Sequence, residues 1–500
     1  MHSELSKLRV CILGQMTPLT WMPHLISAFQ SIADVRTIGP LLHDFPADAW
    51  PGTWPPRDHA DVELDKLDSL YDALPSGWTP HLVIAISGGG IPMFTNTHDL
   101  PCPTVFYSVD TWQCYMDYLE ALHYDIVFAG QRAYVPHLRA AGSRHVYWLP
   151  MACNPDLHKP IDAEELHDIT FVGGLTEPVH WQRAQVLKAL QQHFDVHILA
   201  RVYGAAMNDA YASGRVAFNH AAVQDVNMRI FEALAMGRAL LTNRDSEANG
   251  LTELFENEKH LLIYDDERDL VRKASRLLSD DSLRERLQRE GREAVLAHHT
   301  YAHRVHTMLG TVRALCPGFD ACSGEPPTRG ENLVEYLPLD CTSLLDYGVG
   351  LGASRLALAR RGVTRFDGFT TNSDLRRQRA GSYHALHESP PADTFDSAAI
   401  DYNHVTDTAI CSAWQVLVQG GTLLIKCDAR QLTGVTDLNS WFRQRDFHVV
   451  QSNKLAAGST IIVLRKRTRR LRDIARDVCS VLNVPGVTAE SVVGLLDADW

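Results

Sequence analysis

The sequence has no apolar run approaching the ~20 residues that a helix needs to cross a bilayer. Its opening, MHSELSKLRVCILG, lacks the apolar core of a secretion signal and passes straight into a strand pattern, so a cytoplasmic protein is expected. Cysteine is sparse. Ten residues are scattered from Cys11 to Cys479 with no C-x-x-C pair, which excludes a zinc ribbon and a dense disulfide framework. They read instead as small buried apolar residues of a reducing compartment. Positive charge is in deficit, with 47 Lys and Arg against 60 Asp and Glu and a formal net charge of −13. A non-specific nucleic-acid binder would carry a basic stripe, so that class is set aside. The one basic cluster, Arg465 to Arg472, reads as a solvated strand end and helix start rather than as a contact for a polyanion or a membrane surface. No repeat of solenoid period occurs.

What is present is alternation. Short β-branched runs separated by helical stretches recur along the chain, the pattern of wound α/β sheets, and the length allows about three domains of ~100–200 residues. Over residues 1–150 the strand candidates are RVCILG (9–14), HLVIAI (81–86), TVFYSVD (104–110), DIVFAG (125–130) and HVYWLP (145–150). A Pro/Trp-rich stretch at 45–59 can be neither regular helix nor central strand and reads as a long surface loop. Residues 151–315 hold a second unit, with DITFVGG (168–174), DVHILA (195–200), RVAFNH (215–220), RALLTN (238–243) and HLLIYD (260–265). A linker without periodicity (316–332) leads to a third unit of six strand candidates (333–467), and 468–500 is expected to be a helical tail.

The stretch DVNMRIFEALAMG (225–237) is the most informative. Met228, Phe231, Leu234 and Ala235 form an apolar helical stripe, and Asp225 or Asn227 suits the N-cap. Arg229 and Glu232, three apart, project from the same side of the first two turns. A helix N-terminus with a fixed arginine suits a diphosphate, and a glutamate there can accept hydrogen bonds from ribose or sugar hydroxyls. On spacing alone, a surface ion pair on an ordinary amphipathic helix is at least as good a reading.

The segments GRVAFNHA, DVNMRIFEALAMGRALLTN, GLTELFENEKHLLIYDDERDLVRKASRLLSD and HHTYAHRVHTML resemble, in order, the C-terminal lobe of CgeB-like (spore-maturation type) glycosyltransferases of the GT-B class. PTVFYSVD, YDIVFAGQRAYVPHLRAAG and ITFVGGL fit the same family, so the resemblance covers about residues 80–310. It implies two Rossmann-like lobes, an acceptor lobe (1–150) and a nucleotide-sugar lobe (151–315). The donor would be a nucleotide-diphosphate sugar, and the acceptor a glycan, glycoprotein or small molecule. The residues implied at the donor are Gly173, Gly174, Arg215 and Asn227, with Arg229 and Glu232 as catalytic groups; Glu253, in GLTELF, is a further candidate for the donor nucleoside, with a helix start as its competing reading. Asp110 is a third catalytic candidate, because it closes TVFYSVD at the carboxyl end of a strand; a helix cap is its competing reading. The Glu-x7-Glu pair of related retaining enzymes is incomplete, since Gln224 stands eight residues before Glu232. No D-x-D follows a strand, and Asp497-Ala-Asp499 falls in the tail, so no metal is expected.

LLDYGVGLGASRLALARRG (344–362) reads strand, glycine turn, helix. Asp346, Gly348, Gly350 and Gly352 resemble the first motif of class I methyltransferases, which implies S-adenosylmethionine as cofactor. Thr370 stands where that family places the acid that grips the ribose. Gly348-x-Gly350-x-x-Ala353 also satisfies the dinucleotide pattern, and a non-catalytic Rossmann-like domain is a third reading. The expectation for the whole is α/β: two GT-B lobes plus a third Rossmann-like domain that methylates the product or serves in binding. A sugar-nucleotide epimerase and a non-catalytic nucleotide-sugar-binding scaffold are the rival functions.

Overall fold

The computed structural model describes residues 8–466 apart from 18–20, 43–55, 57, 88–93, 95–96, 98–99, 101, 113, 115, 177–179, 317–318, 320–332, 339, 350, 352–357, 360–361, 380–381, 402–404, 429–441, 443–446 and 455–458. Most of the Pro/Trp-rich stretch and of the linker, Gly350, Gly352, Arg467 to Arg472 and the tail with Asp497 and Asp499 lie outside the described residues.

The first sheet contains β1 (Arg9–Leu13), β2 (Asp34–Ile38), β3 (His59–Ala60), β4 (Leu82–Ile86), β5 (Thr104–Ser108), β6 (Ile126–Ala129) and β7 (Val146–Trp148). All pair in parallel in the order β3-β2-β1-β4-β5-β6-β7. Alternate residues serve opposite faces: Val10, Ile12, Ile84 and Val105 enter one apolar cluster, and Cys11, Leu13, Val83 and Phe106 the other. Helix Met22–Gln30 closes the first face with Leu25, Ile26 and Phe29.

The second sheet holds β8 (His167–Val172), β9 (Val196–Leu199), β10 (Gly214–Phe218), β11 (Ala239–Asn243) and β12 (Leu262–Tyr264), parallel in the order β12-β11-β10-β8-β9. Strand order therefore reverses between β8 and β10, and doubly wound sheets bind ligands at the carboxyl ends of such neighbours. Helix Tyr301–Leu315 turns back onto the first lobe and packs on helix Met22–Gln30 through the shared apolar cluster. Arg304 at its start donates to the Pro150 and Met151 carbonyls at 2.7 Å each. The two lobes thus share one core.

The third sheet comprises β13 (Ser343–Tyr347), β14 (Arg365–Phe369), β15 (Ala385–His387), β16 (Phe395–Asp401), β17 (Leu417–Asp428), β18 (Phe447–Lys454) and β19 (Ser459–Lys466). Its order is β15-β14-β13-β16-β17-β19-β18, parallel except for β19, which runs antiparallel to both neighbours. All three units are Rossmann-like.

β2, β3 and β15 are not legible in the sequence. The first alternates charged and apolar residues over only five positions, and the others span two and three residues. The strand end at Arg465-Lys466 corrects the solvated reading. Both residues are buried; Arg465 donates to Gly420 O at 3.3 Å and Thr422 Oγ1 at 2.8 Å, and Lys466 Nζ to Leu417 O at 2.6 Å. Of the described cysteines, none is in a disulfide, and all but Cys411 are buried.

Candidate functional site

A cleft of about 530 Å³ lies between the first two lobes, at the carboxyl ends of β8 and β9 and beside that of β5. It gathers Asp110, Gly173, Gly174, Asn227, Arg229 and Glu232 from the sequence expectations. Arg215 and Glu253 stand elsewhere. Arg215 begins β10 rather than ending it, so it sits at the opposite edge of the sheet, where it pairs with Asp281 at 3.2 Å. Glu253, in the first turn of helix Leu251–Leu254, forms an ion pair with Arg132 across the seam between the lobes.

Helix Met228–Ala235 points its N-terminus at the cleft. Asn227 occupies the N-cap position but makes no side-chain cap bond, and among the described residues neither atom of its buried side-chain amide has a hydrogen-bond partner. The neighbouring Val226 is tied across the lobes, its N–H donating to Gln131 Oε1 at 2.9 Å.

The surface-pair reading of Arg229 and Glu232 does not hold. The Arg229 guanidinium turns onto the strand ends, donating from Nε to Val172 O and from Nη1 to Asn219 Oδ1 at 2.7 Å, and lies over Phe171 at 5.0 Å. Arg183 covers the same ring at 5.6 Å and donates to Gly174 O and His220 O at 2.8 Å each. Two guanidiniums therefore fix the turn after β8 against the end of β10. Burial, reinforced by the charge of Arg229, brings Arg183 down to about 9. Gly173 is required by this crowding, since a Cβ there would overlap the Arg229 guanidinium and meet Phe171 at 2.9 Å.

Glu232 is 5% exposed, and burial pushes its carboxyl up to about 7 against the opposing pull of Arg229. His158 Nε2 lies 3.7 Å from its Oε1. Burial holds His158 down at about 3 and His24 at about 4, so both are neutral imidazoles near pH 7 and the contact is not an ion pair. His158 Nδ1 accepts from Asn154 N–H at 3.2 Å, which leaves the proton on Nε2, facing Glu232. The His24 and His158 rings meet edge to face at 5.3 Å.

On the first lobe, Asp110 is exposed at the mouth of the cleft. It does not cap the next helix, Asp117–Glu120, whose N-cap is Met116. Asp117 accepts from Ser108 Oγ and, at 2.9 Å, from Ser87 Oγ; burial raises it to about 7, with the Asp110 charge adding to the rise. His24 and His158 escape a reading of the sequence because they lie far along the chain from Glu232, and Arg183 and Asp117 because neither stands directly after a strand.

Among the described residues, no group of three or more His, Cys, Asp or Glu side chains is placed to hold a metal ion, and no helix is long and apolar enough to cross a membrane. In the third sheet, Asp346, next to last in β13, is wholly buried and accepts from Tyr383 Oη at 2.7 Å and Leu351 N–H at 3.1 Å. Gly348 follows with φ +89°. Thr370 is buried, and its hydroxyl accepts from Asn372 N–H at 3.2 Å.

No curated protein matches the sequence. Among solved structures the chain is similar to sucrose-phosphate synthase from Thermosynechococcus elongatus, with 13% identity over 62% of this chain and 99% of that one and a TM-score of 0.44. It is similar to HepE of Anabaena, determined with UDP and glucose, at 13% identity, 62% and 100% coverage and a TM-score of 0.45. A ribosomal protein L11 methylase from Lactobacillus delbrueckii subsp. bulgaricus shows 16% identity over 27% of this chain and 75% of that one, with a TM-score of 0.23. Residues 155–310 match the model of a family described as glycosyl transferase-like. That segment carries every residue that lines the cleft from Leu157 onward.

Proposed function

We propose that the protein transfers a sugar from a nucleotide-diphosphate donor, bound on the second lobe, to a glycan, glycoprotein or small-molecule acceptor on the first. The observation that carries this reading is the cleft at the β8/β10 reversal, where a helix N-terminus, Arg229 and the unpartnered Asn227 amide converge opposite Asp110. Cleaving the anomeric C–O bond builds negative charge on the diphosphate and oxocarbenium character on the sugar. Preorganised donors aimed at the phosphate lower that barrier without reorganising in the step. In this reading the fixed charge of Arg229 and the helix N-terminus receive the leaving diphosphate, and Arg183 braces the turn behind them. Glu232 meets a donor hydroxyl at the floor, and Asp110 contacts the incoming acceptor hydroxyl. Tyr203, 38% exposed at the rim, offers a ring face to the nucleobase.

Thermal-shift titration with UDP, GDP, ADP and dTDP, followed by hydrolysis and transfer assays with the matching sugar nucleotide, tests the proposal. Failure of every nucleoside diphosphate to bind overturns it. A sugar of inverted configuration formed without an acceptor identifies an epimerase, and binding without turnover identifies a scaffold.

The third sheet fits S-adenosylmethionine poorly. Gly348 and buried Asp346 suit a close backbone approach, but the ribose position offers Thr370, a single hydroxyl in place of a bidentate carboxylate. Asp367, on the same strand, is held by Arg365 at 2.7 Å and His387 at 3.1 Å, and Asp374 pairs with Arg377. No methyl-transfer step follows from these residues, and the methyltransferase-like domain is proposed as a binding or supporting unit.

A further inference from the structure

Outside the cleft, a cluster of buried charges joins the first lobe to the third sheet. Arg144, in the turn before β7, donates to Asp396 Oδ1 at 2.6 Å and lies 3.4 Å from Asp340 Oδ2. His145 bonds the same Asp340 oxygen. Asp396 Oδ2 also accepts from Thr342 N–H at 2.8 Å, Thr342 Oγ1 at 2.5 Å and Ser343 N–H at 3.0 Å. Arg465 and Asp125 lie close enough to feel the charge of Asp340. Burial alone would raise Asp340, but the bond from His145 and the charge of Arg144 bring it down to about 2.

The backbones meet as closely. A Cβ on Gly420 would overlap Gly142 O, and one on Gly142 would meet Lys466 O at 3.0 Å. Gln419 Nε2 donates to Arg139 O at 2.6 Å.

These positions share one edge of each sheet. Thr342 and Asp396 stand at the amino ends of β13 and β16, Gln419 and Gly420 near the start of β17, and Arg465 and Lys466 at the end of the antiparallel β19. Gly142 to His145 precede β7. Asp110, by contrast, follows β5, and Asp346, Gly348 and Thr370 stand at the carboxyl ends of β13 and β14. The two carboxyl-end crevices therefore lie away from the contact, on opposite sides of it.

We propose that the first lobe and the third sheet form one cooperative unit, fastened amino edge to amino edge by this charge cluster, and that the third domain buttresses the first lobe rather than trailing from it on a linker. Removing Arg144 while the contact stays closed would leave Asp340 and Asp396 largely buried without their shared cation, which is the costly way to break an ion pair. The proposal stands independently of the glycosyltransferase reading.

Hydrogen exchange of the full chain, read by mass spectrometry, tests it. In Arg144→Ala, peptides covering β5 and β6 (104–108, 126–129) and peptides covering β16 and β17 (395–401, 417–428) should both exchange at least tenfold faster. Peptides covering helix Glu267–Ser279, whose Leu270, Ala274 and Leu277 belong to the second lobe's separate apolar cluster, should keep their rates. If Arg144→Ala does not fold, Arg144→Lys, which keeps the charge but cannot reach both carboxylates with a planar fork, should give the same pattern more weakly. Faster exchange confined to the turn around residue 144, to the third sheet alone, or absent altogether overturns cooperativity. So does acceleration that spreads equally into helix Glu267–Ser279.

Discussion

Replacing Glu232 with glutamine removes the titration of a buried carboxyl and nothing else of its shape. The folded group is held at about 7 against an ordinary value of 4.5, with burial as the main cause. Between those two values the unfolded chain has released the proton while the folded chain still holds it. The contribution of Glu232 to folding stability must therefore fall as pH rises through this window, and it is level below and above. A shift of this size corresponds to about 3 kcal/mol. Glu232→Gln has no such dependence, so its advantage over the parent should grow by up to about 3 kcal/mol from pH 4.5 to 7. In a unit of 150–250 residues that is roughly 6–12 °C in melting temperature. The chain has three units, so the transition to follow is the one that bound UDP raises. The assay is differential scanning fluorimetry of both proteins from pH 4.5 to 8. A difference in melting temperature that stays constant across that range would refute the argument, because Glu232 would then be charged in the folded protein at every pH. His158 and His24, held below an ordinary 6.5, push stability the opposite way, upward with pH, and cancel in the difference because both proteins carry them.

Arg229→Ala should weaken UDP binding by about tenfold or more in calorimetric titration. It should also lower the melting temperature, because the guanidinium holds Val172 O and Asn219. Unchanged affinity would remove Arg229 from the donor site. Donor cleavage should persist in EDTA after dialysis, and loss of turnover that manganese or magnesium restores would reveal a metal requirement. S-adenosylhomocysteine should bind more weakly than about 100 μM, since one charge-assisted contact is typically worth ten- to a hundredfold. A dissociation constant below about 1 μM would show that another group replaces the ribose-binding acid.

The sequence by itself determined the three wound α/β units and nearly all their strands, because buried parallel strands must be short continuous apolar runs and their crossovers amphipathic helices. It also singled out the helix Met228–Ala235, since an apolar stripe behind a polar start is a local pattern. Edge strands such as β3 and β15 escaped, being too short to carry a period. Only the tertiary structure decided what the charged residues do. Arg229 and Glu232 look like a surface pair at i,i+3 spacing, yet one turns onto the ends of β8 and β10 and the other is sealed beside His158. Arg215 and Arg183 are indistinguishable as residues, but one starts a strand at the far edge while the other locks the turn at the cleft. Arg465 reads as a solvated strand end until β17 and the first lobe close over it. Periodicity reports which face of an element is apolar, whereas the partner of a charge depends on segments a hundred or more residues away that only folding brings together.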